Sequence, residues 1–398
     1  MRISEDPPLH LTYCLNIHRG ESWQENFDAI RNYACRVRDL VSPNAPFGLG
    51  MRLSHAAAAT LGEDAALAAF RDVLESERMY VFTVNGFPYG KFHDGPVKEK
   101  VYQPDWRTSA RRDYTNRLAD ILSKLLPEGK EGSISTVPCS FKPWILRSSD
   151  IDRIVRHLAD CAAHLVQLTE QTGTEIHLGL EPEPGCYLET TEEAVRFFTE
   201  HLFVEGVRYL KQRIGRTGPE AEALMRKHVG VCFDTCHVAI QFEELEDALT
   251  AYQTEGIRIS KIQLSAALEV INERSRIEAL HPFVEPVYLH QVKGMTRHGS
   301  LRSWNDLPDA LRDVKDRAEV ERLRIHFHVP LCWDGSTRVG TTGSLLSPAF
   351  FDRLREGVSS HLEIETYTFD VLPDALQCGD VVESIVREYA WAMSRLKA

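Results

Sequence analysis

The sequence lacks a hydrophobic run that could cross a membrane. It contains no stretch of about eighteen uninterrupted apolar residues, the length from which a transmembrane helix is predicted. The first residues, MRISEDPPLHLTYC, also lack the basic start and apolar middle of a secretory signal. We therefore expect a cytoplasmic protein that does not insert into membranes.

Paired cysteines are missing as well. The chain contains nine cysteines, an odd number, and no CxxC pair. A disulfide framework uses an even number of cysteines and a zinc ribbon uses CxxC pairs, so the sequence favours neither. We interpret most of these cysteines as reduced thiols that serve as small packing residues.

The sequence contains fewer positively than negatively charged residues. Lys and Arg total 46 against 58 Asp and Glu, which gives a formal net charge of -12 at pH 7. A protein that follows a nucleic-acid backbone presents a broad basic surface. We therefore predict no nucleic-acid partner and expect a small-molecule metabolite as the ligand. The sequence makes no prediction of the oligomeric state.

A glycine-rich nucleotide-binding turn is also absent. The turn after the first strand-like run reads NIHRGESW, without the GxGxxG that usually marks a doubly wound dinucleotide-binding sheet. Instead, nine β-like runs are followed in most cases by segments with apolar residues at helical spacing. This alternation favours an α/β fold, a (β/α)8 TIM barrel with one extra strand. The runs are HLTYCLNIH, FGLGMRL, YVFTVNGF, GSISTVPCS, EIHLGLE, VGVCFDTCH, ISKIQLSAA, RIHFHVPL and HLEIETYTF.

We predict a single domain over residues 1–398 with one long insertion between the seventh and last barrel strands. About ninety residues separate these strands, which is more than a crossover needs. We place the insertion at about 268–345, over the mouth of the barrel. FPYGKFHDGPVKEKVYQPDW (87–106) is the best candidate for a long loop.

Four strands carry an oxygen ligand at their carboxyl ends. In a barrel, alternate side chains of each strand point inward, and reactive groups collect at these ends. In HLGLEPEPG the alternation places Glu181 inward at the tip, and two prolines keep the following chain extended. The same alternation selects Asp234, Gln263 and Glu365 on three other strands.

These four side chains predict one divalent metal ion. Carboxylates that crowd together without a cation repel one another and take up protons. An oxygen-rich ligand set favours Mn²⁺ or Mg²⁺, although an open site could also bind Zn²⁺ or Co²⁺. Each acid taken alone is better explained as a helix N-cap or a surface charge. The shared position at the strand ends is what favours the metal.

Further polar residues are candidates for substrate contact at the same mouth. His326 and His328 share one face of the otherwise apolar run RIHFHVPL, and either could be a buried structural histidine or reach the metal or substrate. Others follow predicted strands and are equally well explained as turn residues. They are Asn16, His18, Asn85 and Lys142.

Four phrases of the sequence resemble a known superfamily. LGLEPEPG, FDTCH, KIQLSAA and LEIETYT, in this order, are similar to the xylose isomerase-like TIM-barrel superfamily. This superfamily includes hydroxypyruvate isomerase, ketose 3-epimerases, inosose dehydratase and endonuclease IV. The hydroxypyruvate isomerase pattern implies that His237 lies beside the substrate. It implies four ligands of one metal, namely Glu181, Asp234, Gln263 and Glu365.

Over nearly its whole length the chain resembles the EboE proteins more closely still. This resemblance is carried by TYCLNIHRGESW, FTVNGFPYG, LEPEPGC, FDTCHVA, HFHVPL and LEIETYT. EboE proteins are described as metabolite traffic proteins. The resemblance implies a role in moving or processing a prenyl-type metabolite precursor.

The function that the sequence favours is a divalent-metal-dependent isomerase or epimerase of a small sugar-like or hydroxy-carbonyl metabolite. Glu181 and Glu365 would transfer a proton through an enediolate, while His237 holds a substrate oxygen. One alternative is a non-catalytic metabolite-binding protein of the EboE type, which would use the same residues. A second is an endonuclease IV-like metal-dependent phosphodiesterase, which the acidic net charge disfavours.

Overall fold

The strands of the protein form two sheets. A computed structural model describes residues 1–93, 95–373, 376–377 and 379–397. Within these residues the strands are β1 (Arg2–Glu5), β2 (Pro8–Tyr13), β3 (Phe47–Arg52), β4 (Met79–Asn85), β5 (Gly132–Thr136), β6 (Ile176–Leu180), β7 (Val229–Asp234), β8 (Ile259–Leu264), β9 (Ala266–Ile271), β10 (Val292–Thr296), β11 (Leu301–Trp304), β12 (Val320–Val329), β13 (Gly340–Thr341) and β14 (His361–Ile364).

Helices follow most of these strands. The α-helices are α1 (Trp23–Ala29), α2 (Cys35–Val41), α3 (His55–Leu61), α4 (Asp64–Ser76), α5 (Ser109–Leu125), α6 (Ser148–Thr172), α7 (Thr191–Arg196), α8 (Val207–Ile214), α9 (Gly218–His228), α10 (Thr235–Ile240), α11 (Leu245–Thr254), α12 (Arg274–Glu278), α13 (Leu307–Asp313), α14 (Pro348–Arg355) and α15 (Val381–Leu396). Two π-helical segments, Ile30–Ala34 and Phe197–Gly206, join α1 to α2 and α7 to α8. The short 3₁₀ segments are Leu15–Ile17, Lys98–Tyr102, Lys142–Trp144, His281–Phe283, Val314–Asp316, Thr342–Leu345 and Phe369–Val371.

Eight parallel strands close into a barrel. Their order is β2-β14-β8-β7-β6-β5-β4-β3, and each neighbouring pair is parallel. A parallel bridge between Cys14 and Gly50 joins the two ends of this row and closes the ring. β1 adds to β2 as an antiparallel neighbour. The TIM barrel predicted from the sequence is confirmed.

The helices of the outer ring form because their apolar residues recur every three or four positions. In α6, Ile151, Ile154, Leu158 and Leu165 lie on one face and are buried. The helix ends at Gly173, whose φ of 73° is a left-handed conformation that glycine adopts without steric cost. No helix in the described ranges is long and apolar enough to cross a membrane.

The barrel interior is filled with polar side chains in layers. Near the amino ends of the strands, the rings of His177 and His361 stack with their centroids 5.5 Å apart. Above them, Lys261 forms an ion pair with Glu363, and both side chains are fully buried. A Cβ atom at position 50 would lie 2.2 Å from Glu363 Oε1, so this close approach requires glycine. This packing fills the barrel below the carboxyl ends of the strands.

The insertion between the seventh and last barrel strands is confirmed and forms a second sheet. Its order is β11-β10-β12-β9-β13, with every neighbouring pair antiparallel. The run ISKIQLSAA, predicted as one strand, is interrupted at Ser265, where the chain leaves the barrel and begins β9. The run RIHFHVPL contributes to β12 of this second sheet. The description of residues 1–398 as one domain stays a prediction.

The predicted long loop at 87–106 contacts the insertion. The backbone amides of Val97 and Lys98 both donate to Val287 O, at 2.8 and 3.1 Å. Lys98 begins the 3₁₀ segment Lys98–Tyr102 within the loop. Asp94, in the same loop, lies outside the described residues. The loop and the insertion therefore meet above the carboxyl ends of the barrel strands.

Candidate metal centre

Glu181, Asp234 and Glu365 meet at the carboxyl end of the barrel. Glu181 follows β6, Asp234 ends β7 and Glu365 follows β14. One oxygen of each side chain lies within 4.8 Å of an oxygen of the other two. The residues are only 4, 1 and 4% exposed. We call these three residues the carboxylate cluster; it contains three of the four ligands predicted from the sequence.

Asp234 is fixed through one carboxylate oxygen. It is the N-cap of α10, and its Oδ1 accepts hydrogen bonds from the amides of Cys236 at 2.8 Å and His237 at 3.2 Å. Ser265 Oγ, at the break between β8 and β9, donates to the same oxygen at 2.6 Å. The other oxygen, Oδ2, is buried and has no hydrogen-bond partner. Oδ1 therefore caps the helix, and Oδ2 remains able to bind a metal ion.

Glu365 is held in the same manner by two asparagines. Its Oε1 accepts from Asn16 Nδ2 at 2.9 Å and from Asn85 Nδ2 at 3.0 Å. Asn85 ends β4, and Asn16 lies in the 3₁₀ turn after β2. The Oε2 atom of Glu365 is buried without a partner. The sequence suggested Asn85 as a substrate contact, which stays a prediction, and in the structure Asn85 donates to this carboxylate.

Gln263 lies beside the cluster on β8, the fourth strand predicted to carry a ligand. In the sheet register it pairs with Asp234 on one side and with Glu363 on the other. Its Oε1 accepts from Cys232 Sγ at 3.0 Å, whereas its Nε2 is buried without a partner. The two ends of an amide have nearly the same shape, so a half-turn exchanges them. This rotation would place the amide oxygen of Gln263 where the unpartnered Nε2 atom now lies.

The unpartnered oxygens make the carboxylate cluster suitable for a divalent cation. They are Glu181 Oε2, Asp234 Oδ2 and Glu365 Oε2. Burial, followed by the charges of neighbouring carboxylates, raises the pKa of Glu181 and of Glu365 well above the usual range. Burial also opposes ionisation of Asp234, but the neighbouring His237 and His328 together with the hydrogen bond from Ser265 lower its pKa. A cation would satisfy all three oxygens and offset their repulsion, so the residues fit a divalent metal.

Three histidines lie next to the carboxylate cluster. His237 belongs to α10, whereas His326 and His328 belong to β12 of the insertion. The Nε2 atom of His326 lies 3.0 Å from that of His237 and 3.2 Å from that of His328. His237 Nε2 is also 3.8 Å from the unpartnered Oδ2 of Asp234. All three residues are buried, and we call them the histidine cluster.

Members of both clusters line a cavity at the carboxyl end of the barrel, namely Glu181, Glu365, His237, His326 and His328. Glu183 also lines this cavity and accepts from Tyr102 Oη at 2.9 Å. The predicted site residues that line the cavity are Asn16, Asn85, Glu181, His237, His326, His328 and Glu365.

The upper wall of the cavity is aromatic, which the sequence analysis missed. The aromatic lining residues are Phe87, Phe92, Tyr102, Tyr288 and Tyr367. Three of them come from the 87–106 loop, one from the insertion and one from the chain after β14. The density of aromatic residues in FPYGKF was a signal available in the sequence. No sequence signal indicated the position of Tyr288, because this position depends on how the insertion folds back over the barrel.

Two predicted substrate contacts are not brought to the cavity. His18 Nε2 lies 2.9 Å from Tyr13 Oη, and its ring stacks on Tyr33 at 4.6 Å. Lys142 forms ion pairs with Glu189 at 2.7 Å and Glu193 at 2.8 Å. Neither residue is among the described residues that line the cavity. Their roles in substrate binding stay predictions.

Comparisons with known proteins find similarity only among solved structures. No family model matches the chain, and no curated protein sequence does. A zinc-bound IolI protein is 14% identical, with 98% of both chains covered and a TM-score of 0.47. A xylose isomerase domain protein from Alicyclobacillus acidocaldarius is 11% identical over 98% of this chain and 99% of the other, with a TM-score of 0.42.

A third similar structure is the probable 3-DHS dehydratase AsbF from Bacillus anthracis. It is 9% identical over 98% of this chain and 99% of the other, with a TM-score of 0.41. Similar structures thus include xylose isomerase-like TIM-barrel proteins. With identities this low and TM-scores below 0.5, these likenesses carry no argument about activity.

Proposed function

We propose that the protein is a divalent-metal-dependent isomerase or epimerase of a small sugar-like or hydroxy-carbonyl metabolite. The observation that carries this proposal is the convergence of three buried carboxylates beside a cavity, each of which has one oxygen without a hydrogen-bond partner. The residues that hold the metal are Glu181, Asp234, Gln263 and Glu365. Their oxygen atoms favour Mn²⁺ or Mg²⁺, and Zn²⁺ or Co²⁺ also fit.

Glu181 and Glu365 are placed to move a proton. They follow β6 and β14, which are separated by two strands around the barrel, and both line the cavity. Glu181 takes the proton from the carbon next to the substrate carbonyl, and the electron pair moves onto the carbonyl oxygen to give an enediolate. Glu365 relays a proton from solvent to carbon, and Glu181 releases the proton that it took to solvent. A divalent ion bound here supplies positive charge opposite the charge that develops on the substrate oxygens.

His237 positions the substrate in this reaction. Its Nδ1 lies 2.9 Å from Pro182 O, which fixes the ring beside Asp234. A carbonyl oxygen only accepts hydrogen bonds, so Nδ1 carries the proton and Nε2 is an acceptor. His237 therefore accepts a hydrogen bond from a substrate hydroxyl. The aromatic upper wall excludes water from the reacting carbon.

Deuterium exchange tests the proposal. The metal-loaded protein is incubated in D₂O with a panel of ketoses and aldoses, and NMR detects deuterium on the carbon next to the carbonyl. We expect incorporation with the wild type and its loss in Glu181→Gln and in Glu365→Gln, because each variant lacks one of the two proton-transferring carboxylates.

Glu388→Gln is the matched control. Glu388 is a buried carboxylate, 1% exposed, that accepts from Thr366 Oγ1 and Leu331 N away from the cavity. We expect this variant to incorporate deuterium like the wild type. Unchanged incorporation in both Glu181→Gln and Glu365→Gln would contradict the proposed mechanism.

The aromatic wall supports a second candidate function. A cavity with aromatic side chains above and polar groups below suits a metabolite with an apolar part and a polar head. This agrees with the EboE resemblance of the sequence, which implies the traffic of a prenyl-type precursor. A metabolite-binding protein of this kind would bind its ligand tightly in the D₂O experiment without deuterium appearing on carbon.

A further inference from the structure

In the histidine cluster, the Nε2 atom of His326 lies close to the Nε2 atoms of His237 and His328. His237, His326 and His328 are 4, 4 and 1% exposed, and their Nε2 atoms are separated by 3.0 and 3.2 Å along the chain of contacts. Such distances would suit N–H···N hydrogen bonds if one atom of each pair carried a proton. The partners of the opposite ring nitrogens decide whether such a proton is present.

The Nδ1 atoms of two of these rings contact backbone carbonyls. His237 Nδ1 lies 2.9 Å from Pro182 O, and His328 Nδ1 lies 2.8 Å from Glu365 O. Because a carbonyl oxygen only accepts, both Nδ1 atoms must donate. A neutral imidazole has one N–H group, so the Nε2 atoms of His237 and His328 are bare acceptors.

The Nδ1 atom of His326 also donates a hydrogen bond, in this case to the side chain of Gln291. The Nε2 atom of Gln291 donates to Pro184 O at 2.8 Å and to Tyr102 Oη at 2.8 Å, which fixes the orientation of the amide. Its Oε1 therefore faces His326 Nδ1, at 2.7 Å, and accepts from it. His326 Nε2 is then also a bare acceptor, and it lies 3.0 Å from the bare Nε2 of His237 and 3.2 Å from that of His328 in a buried space.

This arrangement is similar to that of histidines that bind a metal ion through one ring nitrogen and donate a hydrogen bond through the other. Histidines that bind a metal almost always donate the other ring N–H to a carbonyl or a carboxylate, as all three rings do here. Zinc–nitrogen bonds of 2.0–2.1 Å in a tetrahedron place neighbouring nitrogens about 3.3 Å apart. The observed separations of 3.0 and 3.2 Å are close to this edge length.

We propose that the histidine cluster binds a second divalent ion, separate from the ion of the carboxylate cluster. Asp234 is the natural fourth ligand, because its unpartnered Oδ2 lies 3.8 Å from His237 Nε2. Asp234 groups with His237 and His328 and equally with Glu181 and Glu365, so it can be shared. The result is a two-metal centre with one bridging carboxylate.

The second ion differs in class from the first. Three imidazole nitrogens favour Zn²⁺, or Co²⁺ in its place, whereas the carboxylate cluster favours harder ions. The second site does not depend on the proposed isomerase activity, because its ligands are assigned from hydrogen bonding alone. If this ion is bound, it would occupy the Nε2 atom of His237 that the proposed function assigns to a substrate hydroxyl, whereas the proton-transfer roles of Glu181 and Glu365 would be unchanged.

Metal stoichiometry and Co²⁺ spectroscopy test this site. Metal-free protein is titrated with Co²⁺, and bound cobalt is followed by elemental analysis and visible absorption. We expect two ions per chain in the wild type, one of which gives the intense absorption of four-coordinate Co²⁺. His326→Asn and His328→Asn should each bind one ion and lose this absorption, because each removes one nitrogen ligand.

His228→Asn is the matched control. His228 is also 1% exposed, and its Nδ1 likewise contacts a backbone carbonyl, Ile176 O, at 2.7 Å, outside the histidine cluster. This variant should bind two ions like the wild type. Should both cluster variants fail to fold, the wild-type titration alone decides. One ion per chain without four-coordinate absorption would overturn the second site.

Different results would contradict the proposed reaction and the proposed second metal site. Glu181→Gln should weaken binding of the first ion and leave the four-coordinate Co²⁺ absorption in place. A wild type that binds two ions but exchanges no deuterium would contradict only the proposed reaction. A wild type that exchanges deuterium with a single bound ion would contradict only the second site.

Discussion

Two members of the carboxylate cluster are each held by one oxygen and leave the other without a partner. Asp234 Oδ1 accepts from two backbone amides and a serine, and Glu365 Oε1 accepts from two asparagines. This division fixes the orientation of each carboxylate before any ligand binds. The residues that donate to the held oxygens therefore control how well the remaining oxygens fit an ion.

Removing Asn85 tests this orienting role. In Asn85→Ala, Glu365 Oε1 keeps only the hydrogen bond from Asn16, so the carboxylate is less well oriented. We expect the affinity of the carboxylate cluster for Mn²⁺ to fall by about 10- to 100-fold, as is typical when a supporting contact of a metal ligand is lost. Isothermal titration calorimetry of the metal-free protein measures this change.

Asn26→Ala is the comparison variant. Asn26 is a buried asparagine that donates to the backbone carbonyls of Gly20 and Ser22, away from the cavity. This variant should lose stability and keep its Mn²⁺ affinity. If Asn85→Ala binds Mn²⁺ as tightly as the wild type, Asn85 does not orient Glu365 for metal binding.

Individual ligands could be predicted because strand alternation is local. Knowing that Glu181 and Glu365 end strands of a parallel barrel is enough to place them on one rim. The orientation of His326 could not be predicted, because it depends on Gln291, which lies 35 residues away in sequence. Lys142 follows a barrel strand as predicted, but its contacts with Glu189 and Glu193 depend on the next crossover.

Among the secondary-structure elements, the alternation of strands and helices was the clearest signal. It predicted the barrel because each run is short and most runs are followed by a helical pattern. The boundary between β8 and β9 was not visible, since ISKIQLSAA reads as one continuous strand. Ser265 marks the break, and only the structure shows that its hydroxyl donates to Asp234.

The 87–106 loop and the insertion are tied together by Lys98. Its Nζ donates to Tyr288 O at 2.6 Å and forms an ion pair with Asp306 at 2.7 Å. Lys98→Met removes both contacts. Hydrogen bonds to charged groups contribute about 1.5–3 kcal/mol, so we expect hydrogen exchange at 95–102 and 285–289 to become roughly tenfold faster or more.

Lys100→Met serves as the control for this measurement. Lys100 lies in the same 3₁₀ segment, Lys98–Tyr102, and is exposed. Its replacement should leave exchange in both segments unchanged. Equal protection in Lys98→Met and the wild type would mean that other contacts hold the loop against the insertion.

For the molecule as a whole, the barrel and the insertion supply different parts of one site. The barrel strands supply the carboxylate cluster, and the insertion supplies His326 and His328 as well as Tyr288 of the upper wall. The general TIM-barrel fold therefore predicts where the first ion binds. The second ion and the shape of the cavity depend on the insertion, whose path the sequence did not reveal.

The central claim is that Glu181, Asp234 and Glu365 bind one divalent ion together. The most direct test is anomalous diffraction at the manganese absorption edge from crystals grown with saturating Mn²⁺. We predict a manganese peak within coordination distance of an oxygen from each of the three carboxylates. Ordered carboxylates with no peak between them, or a peak only elsewhere on the molecule, would contradict the claim.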